Sequence, residues 1–261
     1  MHWLCDFYLD LALLNMTLKK KVNISSYLDS TYLKTAAETG ISQIETKEIV
    51  VNTINEAIDA NFACIMIRSE FIAIAKELIE TSKSKLKVGT VVDFPFGTSS
   101  TKQKISMGKL AIESGAYDID YVCDYNAFKR GSFEKFDNDI IEGTKLVLGH
   151  KKIIKWIIET GALSKDEIRS ISKRISKLVQ SNFPQNSNKV FIKTSTGYYG
   201  GYGATVEDVK IIKSVSGILQ IKASGGISSL KDCMSMIKAG ASRIGTSNAE
   251  LIYKEKLENE F

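Results

Sequence analysis

From residue 24 onward the chain alternates between two periodicities. Short runs rich in branched apolar residues fall at 25–30, 62–67, 86–92, 117–123, 152–158, 189–194, 218–223 and 242–245. Each has the length and composition of a buried strand. Between them lie longer stretches with apolar residues every three or four positions, such as ETKEIVVNTINEAIDAN, EFIAIAKELIETSKS and SKDEIRSISKRISKLVQ. That is the pattern of helices with one face packed and the other in water. Helix starts are marked by Ser164 ahead of Asp166 and Glu167, and by Thr205 ahead of Glu207 and Asp208; hydroxyl and acids meet the unpaired N–H groups of a first turn. Gly115, Gly217 and Gly240 stand where helices would close on a left-handed residue. Eight strand–helix units in succession predict a parallel α/β fold. A doubly wound sheet shares the alternation, but the count of eight, without an early G-x-G-x-x-G turn, predicts a closed (β/α)8 TIM barrel. At 261 residues the chain suits one such barrel, expected over 24–261 behind an N-terminal extension at 1–23.

Alternate residues of a strand face opposite sides. In VFIK, Phe191 and Lys193 oppose Val190 and Ile192; in LQIK, Gln220 and Lys222 oppose Leu219 and Ile221. In YDIDYV, Asp118 and Asp120 oppose Ile119 and Tyr121, and in KWIIE, Lys155 and Glu159 share a face. With the branched residues packed toward the helices, four consecutive strands direct charged groups into one cavity. Burying a lysine is rare unless it is paired. A structural salt-bridge network in the barrel mouth is one account of this set.

The other account is chemical. A free lysine is neutral in only about one molecule in 2,500 at pH 7. Partial burial and a second cation both disfavour the ammonium form, and roughly 4–5 kcal/mol of differential destabilisation would bring its pKa to about 7. Lys193 and Lys222 on neighbouring strand ends supply such a pair. A neutral amine attacks an aldehyde or ketone to form a Schiff base, and Asp120 is placed to shuttle the protons, directly or through water. SGG at 224–226 follows strand 7 and GTSN at 245–248 surrounds the end of strand 8. Those are the two loops where barrels commonly cradle phosphate, so a phosphorylated substrate is expected. The loop GYYGGYG at 197–203 reads either as a mobile connection or as a lid.

Composition removes several alternatives. The apolar share of 44% and charged share of 25% are ordinary for a globular protein, and the net charge of +5 comes from lysines spread over helices rather than gathered in a block. No nucleic-acid partner is expected. Cys5, Cys64, Cys123 and Cys233 stand far apart with no C-x-x-C pair, as befits reduced thiols and a cytoplasmic location. His2 and His150 are the only histidines, too few for the usual ligand set of a metal-dependent aldolase or hydrolase. The N-terminal MHWLCDFYLDLALLNM has no basic leader, carries Asp6 and Asp10, and is too short to span a membrane. It reads as a packing helix, or translation starts at Met16; no membrane partner is expected.

FIKTSTGYYGGYGATVEDV, IKASGGISSLKD, AGASRIGTSN and IIETGALSKDEI, with LDSTYLK, DFPFGTSSTKQK and YDIDYVCDYNAFKRG, resemble deoxyribose-phosphate aldolase, a lysine-dependent aldolase family built on a (β/α)8 barrel. The resemblance runs from about residue 24 to 252, and the K-T-S-T-G and K-A-S-G-G pair in that order carries most of its specificity. It implies that Lys193 forms the Schiff base, that Lys222 depresses its pKa, and that Asp120 relays protons. Gly197, Gly225, Gly226 and Ser247 would line the phosphate site, with Asp29 and Thr31 near the substrate. The reaction implied is reversible cleavage of 2-deoxy-D-ribose 5-phosphate to acetaldehyde and D-glyceraldehyde 3-phosphate, without metal or organic cofactor, and a homodimer is the family's common habit. A Schiff-base aldolase for another phosphorylated sugar and a non-catalytic phosphosugar-binding barrel are the alternatives. The chain departs from the family at three places: Ser228 replaces an arginine, Asn248 a serine and Ser30 a histidine. A weaker hold on phosphate is the expected result, with lysine or backbone groups compensating.

Overall fold

The eight apolar runs become eight parallel strands in the computed structural model, which describes residues 22–259. They are β1 Leu28–Tyr32, β2 Cys64–Ile67, β3 Lys87–Val92, β4 Asp118–Val122, β5 Ile153–Ile157, β6 Val190–Lys193, β7 Gln220–Ser224 and β8 Arg243–Thr246. Each pairs with the next in chain order, and β8 closes on β1 through Leu28↔Ile244 and Ser30↔Thr246. After each strand comes a barrel helix: α1 Gln43–Asp59, α2 Ile72–Thr81, α3 Thr101–Ser114, α4 Phe133–Gly149, α5 Lys165–Asn182, α6 Val206–Val215, α7 Leu230–Ala239 and α8 Ala249–Glu258. The expected closed (β/α)8 barrel is the fold observed.

Local chemistry explains where these elements begin and end. Ser164 and Glu167 form a reciprocal capping box at α5, as do Ser42 with Glu45 at α1 and Ser100 with Gln103 at α3. Thr205 accepts from the Asp208 N–H at the start of α6. Gly115 and Gly240 close α3 and α7 in the left-handed region, while Gly217 adopts it two residues beyond the last position of α6. The first strand is displaced from its expected span: Ile24–Tyr27 is a short 3-10 turn, and β1 starts at Leu28. Ser26 donates its hydroxyl to the Asn23 carbonyl at 2.8 Å, a local bond that competes with extension.

The apolar core lies between strands and helices. Ile119, Tyr121, Ile154, Trp156, Ile192, Ile221 and Ile244 point outward into it and are essentially inaccessible. Trp156 satisfies its indole N–H on the Thr144 hydroxyl of α4 at 3.0 Å. The inner face of the barrel carries the charges instead. Among the described residues, no helix is long and apolar enough to cross a membrane. Most of the N-terminal extension, with the alternative start at Met16, His2 and Cys5, lies outside the described residues.

Candidate active site

Strand register brings the two lysines side by side, with Lys193 of β6 opposite Lys222 of β7. Both reach the same oxygen: Asp120 Oδ2 accepts from Lys193 Nζ at 2.9 Å and from Lys222 Nζ at 3.0 Å. Lys222 also lies 2.7 Å from Asp29 Oδ2. One layer lower, Lys155 Nζ lies 2.5 Å from Asp118 Oδ2, 3.2 Å from Asp120 Oδ1 and 3.5 Å from Asp29 Oδ2. Arg243 completes the set, 2.9 Å from Asp118 and 3.3 Å from Asp29. Asp29, Asp118, Asp120, Lys155 and Lys222 are wholly buried, and Lys193 is 3% exposed.

Three carboxylates therefore face four cations, which leaves one positive charge too many for a desolvated interior. The excess falls on the lysine with the fewest carboxylates. Lys193 has its pKa lowered to about 8: burial leads, and repulsion from Lys222 and Lys155 adds to it against the attraction of Asp120. About a tenth of the molecules then carry a neutral amine at pH 7, roughly 200 times the share of a free lysine. Burial would raise Asp120, but Lys155, Lys193 and Lys222 outweigh it and hold the carboxyl well below its ordinary range. Asp29 is lowered to about 2 because Arg243, Lys222 and Lys155 overcome burial. Lys155 is raised, its burial outweighed by Asp118, Asp120 and Asp29.

Above this layer opens a cavity of about 640 Å³ with Lys193 in its wall. Thr31, Gly197, Gly225, Gly226 and Ser247 line it. Asp29, Asp120 and Lys222 do not; they lie beneath, so Asp29 meets the cavity only through the ion cluster. The small residues after each lysine are structural braces. Thr194 donates its hydroxyl to the Ser224 carbonyl at 3.1 Å and accepts the Ser224 N–H at 3.0 Å, and Ser224 donates to the Ser195 carbonyl at 2.6 Å. Gly245 makes room for the lysine itself, because a Cβ there would come within 2.8 Å of Lys222 Cε. The loop 197–203 packs down on β7: the Ala204 N–H reaches the Ser224 and Gly225 carbonyls at 3.1 Å, and a Cβ on Gly203 would strike the Gly225 carbonyl. Tyr198 in this loop stacks edge-on against Phe94 at 5.0 Å.

Two groups differ from the charged set read from the sequence. Glu159 does not join Lys155, because the strand has ended and its backbone turns left-handed at φ 56°. Its carboxylate instead takes the N–H and hydroxyl of Thr196. Burial raises its pKa, against those hydrogen bonds and Lys193. Arg243 had no place in the expected set, although its register opposite Lys222 and the alternation with Gly245 direct it inward. Asp29, Cys64 and Asp118 also bring ligand atoms within 4.8 Å of one another, but Lys155 and Arg243 already balance these carboxylates.

A parallel barrel that keeps one amine of lowered pKa at the cavity-facing end of a strand, with its ion-pair partner sealed below, fits the aldolase class of lyases. The relatives narrow this. The deoxyribose-phosphate aldolase of Mycoplasmopsis synoviae is 37% identical over 92% of this chain and 100% of its own length, and that of Thermococcus gammatolerans is 34% identical over 87% and 93%. The tetrameric deoxyribose phosphate aldolase of Aeropyrum pernix superposes with a TM-score of 0.73 at 25% identity, over 91% of this chain and 92% of that one. No protein-family model matches the chain. The chain belongs to the deoxyribose-phosphate aldolase family.

Proposed function

We propose that this enzyme cleaves 2-deoxy-D-ribose 5-phosphate reversibly to acetaldehyde and D-glyceraldehyde 3-phosphate through a Schiff base on Lys193, as a cytoplasmic step of deoxyribonucleotide breakdown. The observation that carries this reading is the placement of Lys193, which lines the cavity and shares one carboxylate oxygen with Lys222; its lowered pKa agrees with that placement.

The neutral amine adds to C1 of the open-chain sugar, and loss of water leaves a protonated imine. The C2–C3 bond then breaks toward the imine, its electrons forming an enamine, while the C3 hydroxyl gives up its proton and becomes the aldehyde of the departing D-glyceraldehyde 3-phosphate. Protonation of the enamine at C2 and return of one water release acetaldehyde and the lysine. Asp120, held ionised between Lys193 and Lys222, is the group placed to accept and return these protons, directly or through a water. Lys222 keeps that carboxylate charged and adds to the repulsion that lowers Lys193. Gly197, Gly225, Gly226 and Ser247 supply the neutral part of the phosphate site. Assembly as a homodimer is the accompanying expectation, read by sedimentation at micromolar concentration.

Borohydride reduction in the presence of deoxyribose 5-phosphate, followed by peptide mapping, tests the reading. A reduced adduct on Lys193 is expected. A folded protein with neither adduct nor turnover would instead be a phosphosugar-binding barrel, and turnover confined to another phosphorylated sugar would reassign the substrate.

A further inference from the structure

We infer that Lys34 is the charged residue that holds the phosphate of the substrate, an inference that rests on the reading of the substrate as a phosphorylated sugar. The cavity wall contains two cations, Lys34 and Lys193, and no carboxylate. Lys193 is nearly inaccessible and bound to Asp120. Lys34 is exposed, and among the described residues it has no hydrogen bond and no ion pair. An unpaired surface lysine is ordinary in itself; this one shares its cavity with the nucleophile.

Its position follows from barrel closure. Ser30 pairs with Thr246, so the segment leaving β1 runs beside the segment leaving β8. Lys34, Ser247 and Asn248 thereby line one cavity, together with Gly226 and Ser228 from the loop after β7. Neutral donors are already available there. The N–H groups of Gly225, Gly226, Ser228 and Ser247 donate to no protein acceptor among the described residues, and Asn248 precedes α8 without a side-chain capping bond. These groups can orient phosphate oxygens, but a monoester dianion also calls for a full positive charge. Neither Ser228 nor Asn248 has one. Arg68, the other cation near the mouth, is occupied: its Nε donates to the Leu33 carbonyl at 2.8 Å, its guanidinium lies over Phe94, and it lines a different cavity.

The test compares wild type with Lys34→Gln and Lys34→Arg. Because the side chain is exposed, the variants should fold. Three quantities are read: KM for deoxyribose 5-phosphate, the preference for that sugar over unphosphorylated 2-deoxyribose, and the Kd of inorganic phosphate by calorimetry. Lys34→Gln is expected to raise KM roughly 10- to 100-fold, to lower the phosphate preference by a similar factor, and to weaken phosphate binding, with kcat changing far less. Lys34→Arg should recover most of the loss. If Lys34→Gln binds inorganic phosphate as tightly as wild type, the inference is overturned, whatever the sugar kinetics. Failure of the wild type to cleave deoxyribose 5-phosphate would strike the substrate reading instead, and the phosphate titration would still decide the role of Lys34.

Discussion

Lys155 and Lys193 sit on adjacent strands, both are essentially buried, and both touch Asp120, yet their ammonium groups are pushed in opposite directions. Burial acts on both in the same sense. What separates them is company. Lys155 has three carboxylates within 3.5 Å, whereas Lys193 has one ion-pair partner, Asp120, whose oxygen it shares with Lys222. The lower layer of the barrel is therefore a compensated ionic core and the upper end a deliberately under-compensated one. The basicity of a lysine is lowered here by withholding acids as much as by burying the amine.

Replacing Lys193 with methionine breaks the comparison most severely. Activity should fall by about 10⁵-fold, the scale set by loss of a covalent nucleophile. Stability should move the other way. Because the folded pKa of about 8 lies below the ordinary 10.5, the wild type carries a destabilisation of about 3 kcal/mol that is complete below pH 8 and fades as pH rises toward 10.5. Melting curves at pH 7 should place Lys193→Met several degrees above wild type, with the gap closing near pH 10. A variant less stable at pH 7 would mean that the lysine is a structural partner after all.

Lys155→Met probes the compensated layer. It leaves Asp29, Asp118 and Asp120 short of a buried counter-charge, and a loss of about 3–5 kcal/mol is expected in denaturant titrations. A mild effect would contradict the contrast between the layers.

Lys222→Gln sharpens it at smaller scale. In the wild type, kcat/KM should climb about tenfold per pH unit below 8 and level off above, as Lys193 loses its proton. Without Lys222, one repelling cation is gone and Asp120 has fewer claims on it, so Lys193 becomes more basic. The rising limb should shift upward by about one unit, with a loss of about tenfold at pH 7 that eases on the alkaline side. An unshifted profile would remove Lys222 from the tuning of Lys193.

Much of this arrangement was legible in the strands. Period-two alternation directs Lys193, Lys222, Asp118, Asp120 and Lys155 inward, and all five meet inside the barrel. The glycine-rich ends of β7 and β8 line the cavity as their position implies. The remainder depends on closure, which a linear pattern does not contain. Asp29 meets Arg243 and Lys222 only because β8 returns to β1, and the same return brings Lys34 to the cavity. Glu159 escaped because a single left-handed residue at the end of β5 cancels the alternation that its spacing suggests.

Gly245 shows how such an interior constrains inheritance. The stem of Lys222 occupies the volume that any side chain at position 245 would fill, so the two positions are sterically tied although they lie on different strands. A lineage could enlarge residue 245 only after shortening residue 222, and would then pass through a chain without its second lysine. A missing methyl group on β8 is as much an inherited part of the buried ion cluster as the charge on β7.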